Sequence, residues 1–195
     1  MIATERLLLR PPAPDDRAAL HAMWADPRVM AELGPLKSAA ESDATIARHQ
    51  GYRTPHGLGF WVTALRETDR AIGFCGLKPG AEDTPAAGEV EIGWMIAAEH
   101  WGHGYAREAA EASLGWAWAN TPAARVVAIT SARNAKSRAL MQRLGMVHLP
   151  ECDFGHPLYP PGDPLRASVL YAIERPAERS VHPAASKRGS RLWDI

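Results

Sequence analysis

The sequence predicts one α/β domain, with the order of elements seen in α+β folds: a mixed sheet flanked by helices. Three observations carry this. The chain has 195 residues, enough for one substantial core and short of what two domains usually need. Segments with the two-residue period of strands are interleaved with segments of helical period. At the centre, Gly88 to Thr130 reads as a strand, a glycine turn, a helix and a second strand.

The elements follow in order. Glu5 to Arg10 is a first strand, ended by Pro11-Pro12. Pro14-Asp15-Asp16 opens a helix with acids in its first turn, and Leu20, Met23 and Trp24 give it an apolar face before Asp26-Pro27 stops it. Ser38 with Glu41 three residues on has the form of a capping box, so a second helix is expected from Ser38 to Gln50. His56-Gly57-Leu58-Gly59 is a turn. Phe60–Leu65 and Ala71–Leu77 are strands joined by the polar link Glu67-Thr68-Asp69-Arg70, and Pro79 to Gly88 is a loop. Val90, Ile92, Trp94 and Ile96 alternate with Glu89, Glu91, Gly93 and Met95, the pattern of a half-buried strand. From Ala106 the pattern becomes helical, through Ala110, Leu114, Ala117 and Trp118. Arg125–Thr130 is a short apolar strand. Asn134–Leu144 is a helix closed by Gly145, and Met146–Leu149 and Ala167–Ile173 are late strands on either side of a loop rich in proline and glycine, Pro150 to Pro164. The order β-α-α-β-β-β-α-β-α-β-β thus holds about seven strands and about four helices. Residues 1–175 form the domain. Residues 176–195 turn to Pro, Ala, Ser and basic side chains and read as a mobile tail.

Composition narrows the function classes. Lys plus Arg and Asp plus Glu both number 22, so no bulk charge argues for nucleic acid or a membrane surface as partner. Two cysteines, Cys75 and Cys152, are too few for a disulfide framework and fit a reducing, cytoplasmic setting. The N-terminus has an acid at Glu5 and no long apolar run, unlike a signal peptide, and no stretch has the length to span a bilayer.

The chemistry concentrates at Trp101-Gly102-His103-Gly104-Tyr105-Ala106. A tight glycine turn followed by a helix N-terminus aims several N–H groups and a partial positive charge at one point, a socket for an anion such as phosphate. Position 107 is Arg, so this is not Gly-x-Gly-x-x-Gly, and no Gly-Lys-Ser/Thr makes it a Walker loop. A plain tight turn is the competing reading. Glu99, His100 and His103, or Cys152 with His156, lack a second pair at metal-site spacing, so no metal is expected. Cys152 has no identifiable base beside it to make it a nucleophile.

The stretch Ile96–Ala106 together with Asn134-Ala135-Lys136-Ser137-Arg138-Ala139-Leu140-Met141-Gln142-Arg143-Leu144-Gly145-Met146 resembles the GNAT superfamily of N-acetyltransferases. Thr4-Glu5-Arg6-Leu7-Leu8-Leu9-Arg10 and Glu91-Ile92-Gly93-Trp94 resemble its RimJ/RimL-like branch, and the similarity runs from about Thr4 to Glu174. The resemblance implies a central mixed, mostly antiparallel sheet. It implies acetyl-CoA as acetyl donor, with Trp101, Gly102, His103, Gly104, Tyr105 and Ala106 at its pyrophosphate. Trp101 stands where the family has Gln or Arg. It further implies that the strands near Met95-Ile96 and Val126-Thr130 splay to admit the pantetheine arm, with Asn134 at the cofactor. Met141 falls where many members place an acidic tyrosine, and it has no proton to give. Ser137, one turn earlier, is the candidate acid for the leaving thiolate, and it also counts among the cofactor contacts.

Direct attack by an amine in a ternary complex needs a base, an oxyanion donor and a thiolate partner. Glu91 is the candidate base, directly or through water; the alternative is a solvated strand glutamate. The oxyanion donor is expected to be a backbone N–H near Met95. Asp153 and His156 are candidates for acceptor binding or proton transfer, against a reading as loop caps. The expected acceptor is a primary amine, on a small molecule or a protein N-terminus, and the resemblance implies a possible homodimer. Two other readings stay open: an acyl-CoA sensor of the same fold without chemistry, and a nucleotide-phosphate-binding α/β domain.

Overall fold

A computed structural model describes residues 1–177, so the expected tail lies almost wholly outside the described residues. The strands are β1 (Ile2–Ala3), β2 (Leu7–Arg10), β3 (Gly59–Leu65), β4 (Ala71–Pro79), β5 (Val90–Ile96), β6 (Arg125–Ser131), β7 (Val147–His148), β8 (Phe154–Gly155) and β9 (Ala167–Glu174). The helices are α1 (Arg17–Ala25), α2 (Pro27–Met30), α3 (Ala39–Gly51), α4 (Arg53–His56), α5 (Tyr105–Asn120) and α6 (Ala135–Arg143). The segments read from sequence are all present. The additions are short: β1, β8, α2 and α4 span two to four residues each, too few for a periodic signal.

Local chemistry explains the helix ends. The Ser38 N–H donates to Glu41 Oε2 at 2.8 Å and the Glu41 N–H donates to Ser38 Oγ at 3.3 Å, the reciprocal box that starts α3. Asn134 caps α6, its Oδ1 accepting from the Ser137 N–H at 3.1 Å. Asp16, buried at the start of α1, is held by Arg10 at 2.7 Å, and this pairing keeps its carboxyl below the usual range although burial pushes it up.

The sheet runs β1-β2-β3-β4-β5-β6-β9-β7, with β8 added on β9. Every pairing is antiparallel except β5 with β6. That one is parallel, and α5 supplies the long crossover a parallel pair requires. Both sheet faces are covered, so β5 is not the half-buried strand that its alternation suggests. Ile92 packs in a core with Leu7, Leu77, Leu114 and Ala117 under α5, while Met95 joins Phe74, Val62 and Trp24 under α1 and α3. The polar-looking positions Glu91 and Gly93 belong to the second face, where Glu91 is buried.

Ile92 is 1% exposed at the middle of the first core. Ile92→Ala is expected to cost about 2–5 kcal/mol, and Ser38→Ala, which removes only the cap, about 1 kcal/mol. Urea unfolding of each variant, read as a shift in midpoint at unchanged slope, checks the ranking.

Candidate active site

The site begins where two strands part. β5 and β6 pair only at Val90–Val126 and Glu91–Val127. β5 then continues against β4 as far as Ile96, and β6 against β9 as far as Ser131. A wedge opens between them from Ile92 onward.

Backbone groups alternate sides along a strand. The Ala97 N–H is bonded to Ile72 of β4 at 2.9 Å, and the Ile96 carbonyl is turned the other way, where Trp101 Nε1–H donates to it at 2.8 Å. By that alternation the Trp94 and Ile96 N–H groups face the wedge, and those of Gly93 and Met95 face β4. The oxyanion donor expected near Met95 is therefore not Met95's own N–H; Trp94 is the position whose N–H is free of the sheet. Met95 lines the cleft only as a largely buried residue.

The wedge leads into a cleft of about 920 Å³. Trp101, Gly102, Gly104, Tyr105 and Ala106 form one wall, and Asn134, Lys136 and Ser137 at the start of α6 form the other. Gly102 and Gly104 both have φ 82°, a left-handed conformation that costs glycine little. A Cβ on Gly102 would meet nothing within 4 Å, so the turn fronts open space. Gly104 is the N-cap of α5, which places that helix's free N–H groups at the cleft. His103 is the exception among the expected socket residues. It does not line the cleft: its ring stacks on Tyr105 at 5.7 Å and its carbonyl accepts from Arg6 at 2.9 Å. Trp101 closes the turn through its indole N–H, and Lys136 Nζ sits 4.0 Å from its ring centre, a cation–π contact spanning the cleft walls.

The rim is basic. Arg28, Arg107, Arg133, Lys136 and Arg143 line the cleft against a single acid, Glu32; Arg133 pairs with that acid, Arg28 with Asp26 and Arg107 with Glu111, although the chain's formal net charge is zero. Sequence reasoning missed them, yet a signal was there. Lys136 lies in the first turn of α6, which contains no acid, and Arg107 lies in the first turn of α5; cations there oppose the helix dipole.

At the vertex lies a second cavity of about 90 Å³, lined by Glu91, Gly93, Trp94, Thr130, Ser137 and Met141. Glu91 is 8% exposed and ion-paired with Lys78, its cross-strand neighbour on β4. Burial pushes the Glu91 carboxyl up and Lys78 partly opposes this. The solvated-strand reading of Glu91 fails on this burial. Ser137 is half-buried and lines both cavities. Met141, 2% exposed, lines the inner cavity beside Ser137 and offers no proton donor there.

Asp153 and His156 line neither cavity. Asp153 is engaged by His148 Nε2 at 2.8 Å. His156 stands between Phe154 and Tyr159, with its pKa lowered by burial, partly opposed by Asp83 and slightly reinforced by the Lys78 charge. The His and Cys groupings near Glu99 and Cys152 do not assemble: among the described residues no three His, Cys, Asp or Glu side chains are placed to hold a metal ion. No helix among them is long and apolar enough to cross a membrane.

This geometry has counterparts. A YkkB protein of Bacillus subtilis is 29% identical over 146 residues, 74% of this chain and 84% of that one. An acetyltransferase structure from Agrobacterium tumefaciens superposes with TM-score 0.72 and 31% identity, over 89% of this chain and 93% of that one. Two structures share the fold at lower identity. One is a spermidine N-acetyltransferase from Vibrio cholerae in complex with CoA and spermine, with TM-score 0.69, 17% identity and 88% and 97% coverage. The other is an acetyl transferase from Salmonella typhimurium that modifies the N-terminal serine of ribosomal protein L7/L12, with TM-score 0.70, 16% identity and 88% and 96% coverage. The description "Acetyltransferase (GNAT) domain" matches residues 6–147, which include the parted strands, the glycine turn and α6. The chain belongs to the GNAT acetyltransferase family.

Proposed function

We propose that the protein is an acetyl-CoA-dependent N-acetyltransferase that acylates a primary amine in a ternary complex. The observation that carries this is the wedge between β5 and β6, which joins an anion socket at its open end to a buried carboxylate at its vertex. The residues present fit the donor: N–H groups at Gly104 and the start of α5, the basic rim for phosphates, and an unpaired strand edge for the amide groups of an extended arm. Acetyl-CoA supplies the acetyl group as an activated thioester.

Glu91 acts as the base. A carboxyl raised by burial lies closer to neutrality and accepts an ammonium proton more readily than an ordinary glutamate, while Lys78 holds it in place. The Trp94 N–H, free of β4 and facing the wedge, donates to the acetyl oxygen as negative charge develops there. Ser137, which lines the inner cavity together with Glu91, gives a proton to the departing sulfur. The acceptor is a small amine or a protein N-terminus, in keeping with the two acceptor types named for the Vibrio and Salmonella fold neighbours. The Thr4–Arg10 stretch supports the RimJ/RimL-like branch.

A second reading has one observation in its favour. Met141 occupies the acid position, so the same fold could bind acyl-CoA as a sensor without turnover. Thiol release decides between them: acetyl-CoA with a panel of polyamines, amino acids and peptides yields CoA thiol for one amine class if the chain is an enzyme, and for none if it is a sensor.

Gly104→Val forces a β-branched residue to φ 82° at the socket. It is expected to weaken acetyl-CoA binding at least about tenfold, read by calorimetry; unchanged affinity removes the turn from the site. Glu91→Gln is expected to lower kcat on the order of 10²-fold or more. Lys78→Met removes the charge that lowers the Glu91 pKa, so the acid limb of the kcat/KM profile should move to higher pH; a limb that stays put excludes Glu91 as its origin. Ser137→Ala should reduce kcat by up to about 10²-fold with cofactor affinity intact, and a fully active variant excludes it as the acid.

A further inference from the structure

The N-terminal segment before β2 reaches the glycine turn from the side away from the cleft. Arg6 Nη1 donates to the His103 carbonyl at 2.9 Å. The same guanidinium is paired with Glu108 in the first turn of α5, at 2.7 Å from both Nε and Nη2, and lies 4.8 Å from the centre of the Tyr105 ring. Glu108 is otherwise taken up by the Arg6 N–H at 2.9 Å and the Thr4 hydroxyl at 2.6 Å. A Cβ on Gly104 would stand 3.5 Å from Arg6 Nη2, so the arginine backs the turn.

The consequence follows from peptide geometry. In a trans peptide the C=O and N–H point in opposite directions. The His103 carbonyl and the Gly104 N–H belong to one peptide unit, so anchoring the carbonyl on Arg6 directs the N–H away from Arg6, toward the cleft. This unit joins His103 to Gly104, whose φ is positive, and glycine adopts either sign of φ with similar ease. Left alone, it can rotate and present its carbonyl to the cleft, which would repel an anion. Glu108 poses a second hazard, as a carboxylate one turn from the socket, and Arg6 neutralises it.

We propose that Arg6, held by Glu108 and Thr4, is a positioning residue for the cofactor phosphates: it locks the 103–104 peptide with its N–H facing the cleft. This rests on the acetyl-CoA reading above. Arg6 contacts neither the thioester nor the amine in this scheme. Its side chain is 45% exposed, so the pair adds little to global stability and its loss should leave the fold intact.

The test compares two acetyl donors on the full-length chain. Acetyl-CoA carries the phosphates; S-acetyl-pantetheine has the same thioester arm without them. In the wild type, calorimetric binding of acetyl-CoA upholds the underlying reading, and its absence overturns that reading and the proposal together. Given binding, Arg6→Gln is expected to raise the acetyl-CoA Kd about tenfold while KM for S-acetyl-pantetheine changes less than about twofold. Arg6→Lys, which keeps the charge but cannot reach both the carboxylate and the carbonyl in a fixed fork, should fall between. An unchanged acetyl-CoA Kd in Arg6→Gln overturns the proposal alone. An equal loss for both donors also overturns it, since that marks a general structural role. Should Arg6→Gln fail to fold, Glu108→Gln carries the test, with weaker binding of acetyl-CoA alone expected and equal or no effect on the two donors refuting it.

Discussion

Everything at the site depends on β5 and β6 ceasing to pair after Glu91. A backbone N–H or carbonyl at a strand edge needs a partner, and buried ones are rarely left without. Past Ile92 the wedge-facing groups of β5 have lost their β6 neighbour. One finds a partner within the chain, the Ile96 carbonyl with the Trp101 indole. The others offer an extended ligand a strand-like edge. The same parting sets the two helix starts on opposite sides of the opening, because α5 follows β5 and α6 follows β6. It also leaves Glu91 as the last paired residue, buried at the vertex.

The electrostatics follow a similar division between local cost and shared purpose. Lys136 and Arg107 sit in the first turns of helices, where their charges oppose the macrodipole. Local rules are broken most often where function requires it. Here the helix N-termini and the cations converge on one cleft, so an anionic ligand would satisfy both. On the far wall of the turn the charges are paired internally, Arg6 with Glu108, so the carboxylate does not reach the socket as a free charge.

Much of the fold was legible because its signals are local. The capping box at Ser38, the alternation along β5 and the two-glycine turn each depend on residues within a few positions of one another, and the structure contains them all. The candidate site was legible in part. Gly102, Gly104, Asn134 and Ser137 line one cleft, and Glu91 meets Ser137 at its inner end. His103 does not, because its peptide is turned toward Arg6, a contact 97 residues apart in sequence. Asp153 lines neither cavity, and its carboxylate is taken by His148, five residues before it. The burial of Glu91 was hidden too, since the alternation reports one covered face and both are covered.

By itself the sequence determined the elements, their order and a two-glycine turn set directly before a helix start. Periodicity, capping and glycine spacing are short-range properties, and a single chain carries them in full. Where β5 and β6 separate, which N–H groups that frees, and how Thr4 and Arg6 come to back a turn about a hundred residues away were decided only by the tertiary structure. Those features arise from register between strands and from the packing of α5 across the sheet, and no local pattern encodes them.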